Sequence, residues 1–235
     1  MPYSRRDAPN CDWCSFKKNC FYELIGTKEA KKVWRDMRLA NAFKRGEVIF
    51  HEGAMPQGVY VVCAGKVKIY KSSRTGQQLT TRVESPGDLV GQVTFLADEG
   101  AYTATGEALD ASVISMIDAR TFRDYLAKFP EASSALLREL ARDVRRGENK
   151  ARDIAFKPAR GRLADTLLRM MAAKKPYPVV AGIKRRDLAE MAGLTIETTV
   201  RLLKDFEERQ ILRKKDKDLL IVGEDRLRAL AGSAA

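Results

Sequence analysis

The 235-residue chain carries 43 Lys and Arg against 31 Asp and Glu, a formal net charge of +12 at pH 7. A basic protein attracts phosphates, which favours a nucleic acid partner, although the charge alone also fits RNA or an anionic membrane. The chain holds no run of about 18 apolar residues, so no transmembrane helix is expected. Residues 1–10 lack the apolar core of a signal peptide. We therefore expect a cytoplasmic protein with no membrane partner and room for two domains.

Three of the four cysteines lie close together near the N-terminus, where Cys11, Cys14 and Cys20 have C-x2-C-x5-C spacing. In a cytoplasmic protein such clustering indicates metal ligation or redox chemistry rather than structural disulfides. Iron–sulfur clusters and zinc both normally take four ligands, and Cys63 is the remaining cysteine. His51, the single histidine, is expected in a surface loop rather than as a ligand.

Residues 43–117 have the pattern of short β-strands separated by glycines, which predicts an antiparallel barrel or roll. In the stretch from Gly65 to Tyr70 the lysines are expected to face outward, and Val67 and Ile69 inward. We assign residues 1–22 to a cysteine-rich extension and residues 23–120 to a β-roll sensor domain.

Residues 121–157 are predicted to be a dimerisation helix and hinge. Apolar or small residues recur at alternating spacings of three and four, which is a heptad seam. We expect a parallel homodimer through this seam; the alternative is that the seam packs on its own β-roll. Pro158 is expected to end the helix. The seam residues are Leu137, Leu140, Val144, Gly147, Ala151 and Ile154.

Residues 158–235 are predicted to be a winged helix-turn-helix domain. One helix should end at Gly193, which can take a positive φ, and Thr195 should cap the next helix. Residues 211–222 should form a β-hairpin wing. Such an arrangement is typical of DNA readers, whereas the alternative is an ordinary helical hairpin on a protein surface.

The second helix of this motif carries the candidate base-reading residues Glu197, Val200 and Arg201. A glutamate can accept from cytosine N4, and an arginine can donate twice to guanine. The alternative is a solvent-exposed Glu–Arg pair with no role in recognition. Candidates for phosphate contacts, which position the protein without specifying sequence, are Lys184, Arg185, Thr198, Thr199 and Lys204.

The order of parts resembles the CRP/FNR family of bacterial regulators, and the resemblance is strongest at residues 86–91, 154–163 and 193–203. It implies an α+β fold: an N-terminal antiparallel β-roll (cyclic-nucleotide-binding-like), a long dimerisation helix and a C-terminal winged helix-turn-helix. It also implies a transcriptional regulator that binds double-stranded DNA at a palindromic FNR-like operator and contacts RNA polymerase. By resemblance, Glu197 and Arg201 read the G·A core of each half-site. Val200 departs from FNR, which has a serine there, so the resemblance does not assign the outer bases of the half-site.

The cysteine spacing is similar to that of FNR, which implies an oxygen-labile [4Fe–4S] cluster that senses oxygen, nitric oxide or redox state. The fourth cysteine of FNR matches Ser115 in this chain, so the pattern is incomplete at that position. Our hypothesis is that Cys63 is the fourth ligand, with an Asp or water ligand as the alternative. The strand pattern around Cys63 does not decide which way its thiol faces.

Two rival sensors share this fold. A zinc site or a thiol–disulfide switch could use the same cysteines. A cyclic-nucleotide sensor is not expected, since residues 101–104 lack the Arg-Ser pair of the nucleotide-binding branch and Asp88 replaces its glutamate. An enzyme is not expected either, because the sequence offers no nucleophile–base pattern, paired carboxylates or Gly-rich phosphate loop.

Overall fold

The computed structural model describes residues 8–97 and 100–232. The chain divides into two compact units, residues 1–76 with 81–147, and residues 77–80 with 148–235. Within the described ranges, no helix has the length and apolar character needed to cross a membrane.

The first unit begins with two 3₁₀ turns, Cys11–Trp13 and Lys17–Asn19, and two helices, α1 (Phe21–Leu24) and α2 (Lys28–Asp36). A further helix, α3 (Gln92–Leu96), follows the sixth strand. In the described part of this unit, eight strands form two antiparallel sheets, in the orders β1-β8-β3-β6 and β2-β7-β4-β5, which confirms the predicted roll. The strands are β1 (Leu39–Phe43), β2 (Val48–Phe50), β3 (Gly58–Ala64), β4 (Val67–Ser72), β5 (Gln78–Glu84), β6 (Leu89–Val90), β7 (Thr105–Ala108) and β8 (Ser112–Asp118).

Strand β3 is buried on both faces, which explains its nearly continuous apolar sequence. Tyr60 and Val62 belong to the core inside the roll. Val59, Val61 and Cys63 point the other way, into a second core that the N-terminal segment and helices cover. Alternate residues of one strand therefore join two cores.

The predicted outward orientation of the β4 lysines is wrong at Lys68, which is only 2% exposed. Its ammonium lies 3.5 Å from the Glu107 carboxylate, on the neighbouring strand, and 5.0 Å from the centre of the Tyr70 ring. A lysine can be buried at this place because an opposite charge and an aromatic face compensate for the lost hydration.

The helical zone after the roll consists of two helices, α4 (Ala119–Lys128) and α5 (Pro130–Phe156). The break follows from Pro130, which disfavours a helical conformation at Phe129 and begins the next helix. Along α5, Leu137 and Val144 are 66% and 62% exposed. At these two positions the heptad seam does not pack on its own roll.

The second unit contains the predicted winged helix-turn-helix. Its helices are α6 (Ala159–Met170), α7 (Arg185–Ala192), α8 (Ile196–Glu208) and α9 (Glu224–Ala231). Strands β10 (Leu212–Lys215) and β11 (Asp218–Ile221) form the wing hairpin, and β9 (Val179–Val180) pairs with β11. Its core is filled by fully buried side chains from five of these elements: Leu163, Leu167, Leu188, Phe206, Leu219 and Leu227.

A charge network around the buried carboxylate of Glu84 joins β5 to α5 inside the first unit. Arg82 contacts Glu84 Oε1 through Nε at 3.1 Å and donates to Asp143 Oδ2 at 2.6 Å. Gln92 donates to the same Asp143 oxygen at 2.8 Å, and Arg146 lies 3.6 Å from Glu84 Oε2. Glu84 is 1% exposed, and its burial raises its pKa to about 8 despite the two arginines.

The Glu84→Gln substitution should reduce the dependence of stability on pH. The folded-state pKa of Glu84 lies above its unfolded value of about 4.3, so the wild type loses stability as the pH rises from about 4 to 8. Relative to E84Q, we expect the wild type to lose up to roughly 3 kcal/mol of unfolding free energy between pH 5.5 and 8.

Urea unfolding followed by tryptophan fluorescence measures this difference, since Trp13 and Trp34 both lie in the first unit. Glu148→Gln, at an exposed position of α5, is the control and should leave the pH dependence unchanged. Equal pH slopes for wild type and E84Q would show that Glu84 stays ionised in the folded protein.

Candidate functional site

All four cysteines line one pocket of the first unit. Cys11, Cys14 and Cys20 come from the N-terminal turns, and Cys63 comes from β3. The pocket has a volume of about 340 Å³, part of it open to solvent. We call it the cysteine pocket; its other lining residues include Phe16, Lys17, Tyr22, Arg38 and Val61.

A three-way network holds the loop between Cys11 and Cys14. The Tyr22 hydroxyl donates to Asp12 Oδ1 at 2.6 Å, and Arg35 donates to Asp12 Oδ2 at 2.7 Å and to the Tyr22 oxygen at 2.9 Å. The Asn10 side chain accepts from the Asp12 amide at 2.9 Å. These bonds tie the first two cysteines to α1 and α2, which belong to the packed core.

Gly87 brings the third cysteine against the roll. Its carbonyl accepts from the Phe21 amide at 3.1 Å, and its φ is +106°. A Cβ at this position would lie 2.5 Å from the Asn19 carbonyl oxygen and 2.7 Å from the Cys20 Cα. Only glycine allows so close an approach, so Gly87 does more than form a turn.

Cys63 occupies a β-bulge, because the register between β3 and β8 shifts between Val62 and Ala64. Its thiol belongs to the outer core together with Cys11, and the side chain is 9% exposed. The Cys63 Sγ lies 3.2 Å from Ser115 Oγ. The position to which the resemblance assigns the fourth cysteine is therefore directly beside the cysteine that this chain has.

The thiols of the pocket are largely shielded from water. Burial raises the pKa of Cys11 to about 11 and that of Cys20 to about 12, and the neighbouring thiols add to both shifts. Arg38 opposes both shifts through its positive charge. In the metal-free protein these two thiols are protonated at neutral pH, so metal binding must release protons.

Arg38 is the residue of this pocket that the sequence analysis missed. It is 4% exposed, and its Nη1 lies 3.6 Å from Cys63 Sγ. Its Nη2 donates to the Pro9 carbonyl at 3.1 Å, while its Nε has no hydrogen-bond partner among the described residues. Nothing in the local pattern distinguishes it, since an arginine between a helix and a strand is normally exposed.

No ready-made metal site exists among residues 8–97 and 100–232: no three His, Cys, Asp or Glu side chains are grouped closely enough to hold an ion. The cysteines share one pocket, but they do not stand in coordination geometry. His51 is exposed and lies outside this pocket, as expected.

The helix-turn-helix has the predicted turn. Gly193 ends α7 with φ +63°, and the Thr195 hydroxyl caps α8 by accepting from the Thr198 amide at 3.2 Å. Arg162 of α6 donates to the carbonyls of Ala192 at 2.9 Å and Gly193 at 3.2 Å. It thereby satisfies carbonyls that would be unpaired at the end of α7 and holds the turn in place.

The base-reading candidates all face solvent on α8. Glu197 and Arg201 are exposed, and Val200 is 49% exposed. Within the described residues, Arg201 forms no ion pair with Glu197, so the alternative of a surface pair has no support. Hydrogen bonds from its own amide and from the Thr195 hydroxyl lower the pKa of Glu197, which keeps the carboxylate charged.

The phosphate candidates divide according to their exposure. Lys184 and Lys204 are exposed, whereas Arg185 and Thr198 are partly exposed. Thr199 is fully buried, and its hydroxyl donates to the Thr195 carbonyl at 2.9 Å, so its side chain cannot contact a phosphate. Lys214 and Lys215, in the wing, are exposed cations that we did not predict as phosphate contacts.

Aromatic rings fill the interior of the roll. Phe50 stacks on Tyr102 and Tyr60, with ring centres 4.3 and 5.4 Å apart. The Tyr102 hydroxyl donates to the Gly58 carbonyl at 3.0 Å. Tyr102 falls within residues 101–104, the stretch that lacks the Arg-Ser pair.

Two family models match the two halves of the chain: "cyclic nucleotide-binding domain" over residues 40–129 and "Crp-like helix-turn-helix domain" over residues 161–230. A CRP-like cAMP-activated global transcriptional regulator of Mycobacterium tuberculosis is 30% identical over 190 residues, 79% of this chain and 84% of that protein. The fumarate and nitrate reduction regulatory protein of Salmonella typhi is 26% identical over 230 residues, 96% of this chain and 91% of that protein.

Among solved structures, a CRP-family transcriptional regulator of Thermus thermophilus has the same fold, with a TM-score of 0.73 and 24% identity over 83% of this chain and 97% of that one. The two family models follow each other in the order of the roll and the helix-turn-helix. The relatives match across both units of the chain. The chain belongs to the CRP/FNR family of transcriptional regulators.

Proposed function

We propose that this DNA-binding regulator senses oxygen, nitric oxide or redox state through a [4Fe–4S] cluster held by Cys11, Cys14, Cys20 and Cys63. The observation that carries this proposal is that the four cysteines line one pocket, beside a buried arginine. Such a cluster, when bound, supplies electron transfer and sensitivity to oxidants at potentials set by its surroundings.

The residues of the cysteine pocket fit such a group in two respects. The donor set is four thiols, the usual complement of a [4Fe–4S] cluster, so neither an Asp nor a water ligand is required. Among the described residues Arg38 Nε has no hydrogen-bond acceptor, and the positive charge of this buried guanidinium would favour metal-bound thiolates beside it. Cys11, Cys14 and Cys20 would hold the group from the N-terminal segment, and Cys63 would hold it from the roll.

The output is operator binding by a homodimer. The exposed heptad seam of α5 suits a second copy of the chain, and a two-fold dimer presents two α8 helices to a palindromic FNR-like operator. Glu197 and Arg201 would read each half-site, with Val200 beside them. RNA polymerase would then be the second macromolecular partner, in the cytoplasm.

Zinc binding or a thiol–disulfide switch is the rival use of the same pocket, and metal analysis separates it from the cluster. A cyclic nucleotide is the rival ligand of the roll. Tyr102 argues against a cyclic nucleotide. Its side chain is 3% exposed, and its ring packs inside the roll. A cyclic nucleotide would instead need a charged side chain there as the partner of its phosphate.

Anaerobically purified protein should contain iron and acid-labile sulfide and should absorb near 400 nm, roughly where thiolate-ligated clusters do, with bleaching in air. Cys63→Ser should lose iron, sulfide and this absorption. The double variant Cys63→Ser/Ser115→Cys should regain them, because Ser115 Oγ lies 3.2 Å from Cys63 Sγ.

The variant Ser115→Cys alone is the matched control and should resemble the wild type. A finding that the purified protein contains zinc, or no metal, would contradict the proposed [4Fe–4S] cluster. Full iron content in Cys63→Ser would instead retain the cluster and remove Cys63 as its ligand.

Arg201→Ala should weaken specific DNA binding by about 1–3 kcal/mol, roughly five- to 150-fold, because a bidentate contact to guanine is lost. Lys204→Ala should weaken binding to specific and scrambled duplexes alike and reduce the salt dependence, since it removes only a phosphate contact. Fluorescence anisotropy with the two duplexes at several salt concentrations measures both effects. If Arg201→Ala weakened both duplexes equally, Arg201 would not read a base.

Val144→Glu should convert the dimer to a monomer, because it places like charges against each other at the centre of the seam. Sedimentation velocity on wild type and variant measures the association state. Ser134→Glu, an exposed position of the same helix outside the seam, should remain dimeric. A dimeric Val144→Glu variant would locate the interface elsewhere.

A further inference from the structure

The first unit contains a buried cation that the described residues do not neutralise. Arg38 is 4% exposed, and no carboxylate within the described ranges forms an ion pair with it. Its Nη2 donates to the Pro9 carbonyl, which is neutral, and its Nε finds no hydrogen-bond partner in residues 8–97 and 100–232. An uncompensated buried charge is costly, so a protein retains one where an anion will bind beside it.

The cysteine pocket determines which anion this can be. Arg38 lines the pocket, and its Nη1 points to Cys63 Sγ at 3.6 Å, near the limit of a hydrogen bond to sulfur. The same guanidinium bonds to the Pro9 carbonyl, just before Cys11, so it joins the N-terminal segment to β3. The described residues that line the pocket include no Asp or Glu, so the anionic atoms available there are cysteine sulfurs in their metal-bound, thiolate form.

We propose that Arg38 is the counter-ion of an anionic metal–thiolate centre and orients Cys63 for ligation. The inference rests on the proposed function, because it requires the four cysteines to bind a metal. Its guanidinium stabilises the centre in two ways, by a charge-assisted hydrogen bond to the sulfur of one ligand and by offsetting negative charge in a poorly hydrated pocket.

The proposal predicts opposite effects of Arg38→Met on the metal-free and metal-bound protein. Without metal, the substitution removes an uncompensated buried charge, so the melting temperature should stay the same or rise. With metal, it removes the counter-ion, so affinity should fall at least tenfold. Arg38→Lys keeps the charge without the planar donor and should have an intermediate affinity.

The probe is Co²⁺ alone, titrated anaerobically into reduced metal-free protein and followed by the sulfur-to-cobalt absorption bands. Thermal unfolding of the same metal-free samples is the second readout. Arg74→Met, at an exposed position of the β4–β5 turn, loses the same charge and is the matched control; both readouts should equal the wild type.

A structural role of Arg38 would lower the melting temperature of the metal-free Arg38→Met protein and leave its Co²⁺ affinity unchanged, and that result would overturn the inference. Failure of the wild type to bind Co²⁺ through its thiols would instead remove the metal site, and with it the proposed function. The two failures are therefore distinguishable.

A third readout applies to protein that carries an iron–sulfur cluster. A nearby cation favours the more reduced, more negative form of such a centre. Loss of Arg38 should therefore lower the reduction potential, and the absorption near 400 nm, roughly the region of thiolate-ligated clusters, should bleach several-fold faster in air. An unchanged potential in Arg38→Met would contradict the proposed contact with the cluster.

Discussion

The burial of β3 on both faces is the constraint on which the rest of the first unit depends. One face closes the roll, and the other must be covered by something outside the roll. The N-terminal segment provides part of this cover, so Cys11, Phe21 and Tyr22 pack in the same core as Val61 and Cys63. The cysteine-bearing segment is thus a component of the folded core rather than an appendage to it.

The same core reaches the long helix. Phe122 and Phe129 from the α4 region, and Leu136 from the first turns of α5, belong to the cluster that contains Cys11 and Cys63. A change of packing around the cysteines would therefore disturb the same apolar core that holds the first turns of α5. Since tightly packed cores deform little, such a change can be transmitted as a shift of whole elements. The proposed sensor and the proposed dimer helix need no separate connecting element within this unit.

The parts of the structure that could be predicted from sequence are those set by local rules. Glycine at a helix end and threonine at a helix start determine the turn before α8, and the heptad spacing identifies the exposed seam of α5. The direction of the Cys63 thiol could not be derived in this way, because it depends on a bulge in the pairing of β3 with β8. The burial of Lys68 likewise depends on a cross-strand partner, Glu107. Arg38 was missed for a related reason, since Pro9, Cys63 and the turn before β1 meet only in the folded chain.

The charge balance of the cysteine pocket connects sensing with stability. When the thiols are protonated, Arg38 is a buried cation beside neutral thiols. Its guanidinium has then lost its hydration without gaining an anionic partner, which destabilises the folded protein around the pocket. With a metal–thiolate anion in place, the same guanidinium is paired, and the core around β3 is relieved of that cost. Because the start of α5 packs in this core, the proposed binding of a metal would be linked in free energy to the packing of α5. By reciprocity, a dimer contact that favours the tightly packed form of α5 would also favour retention of the proposed metal.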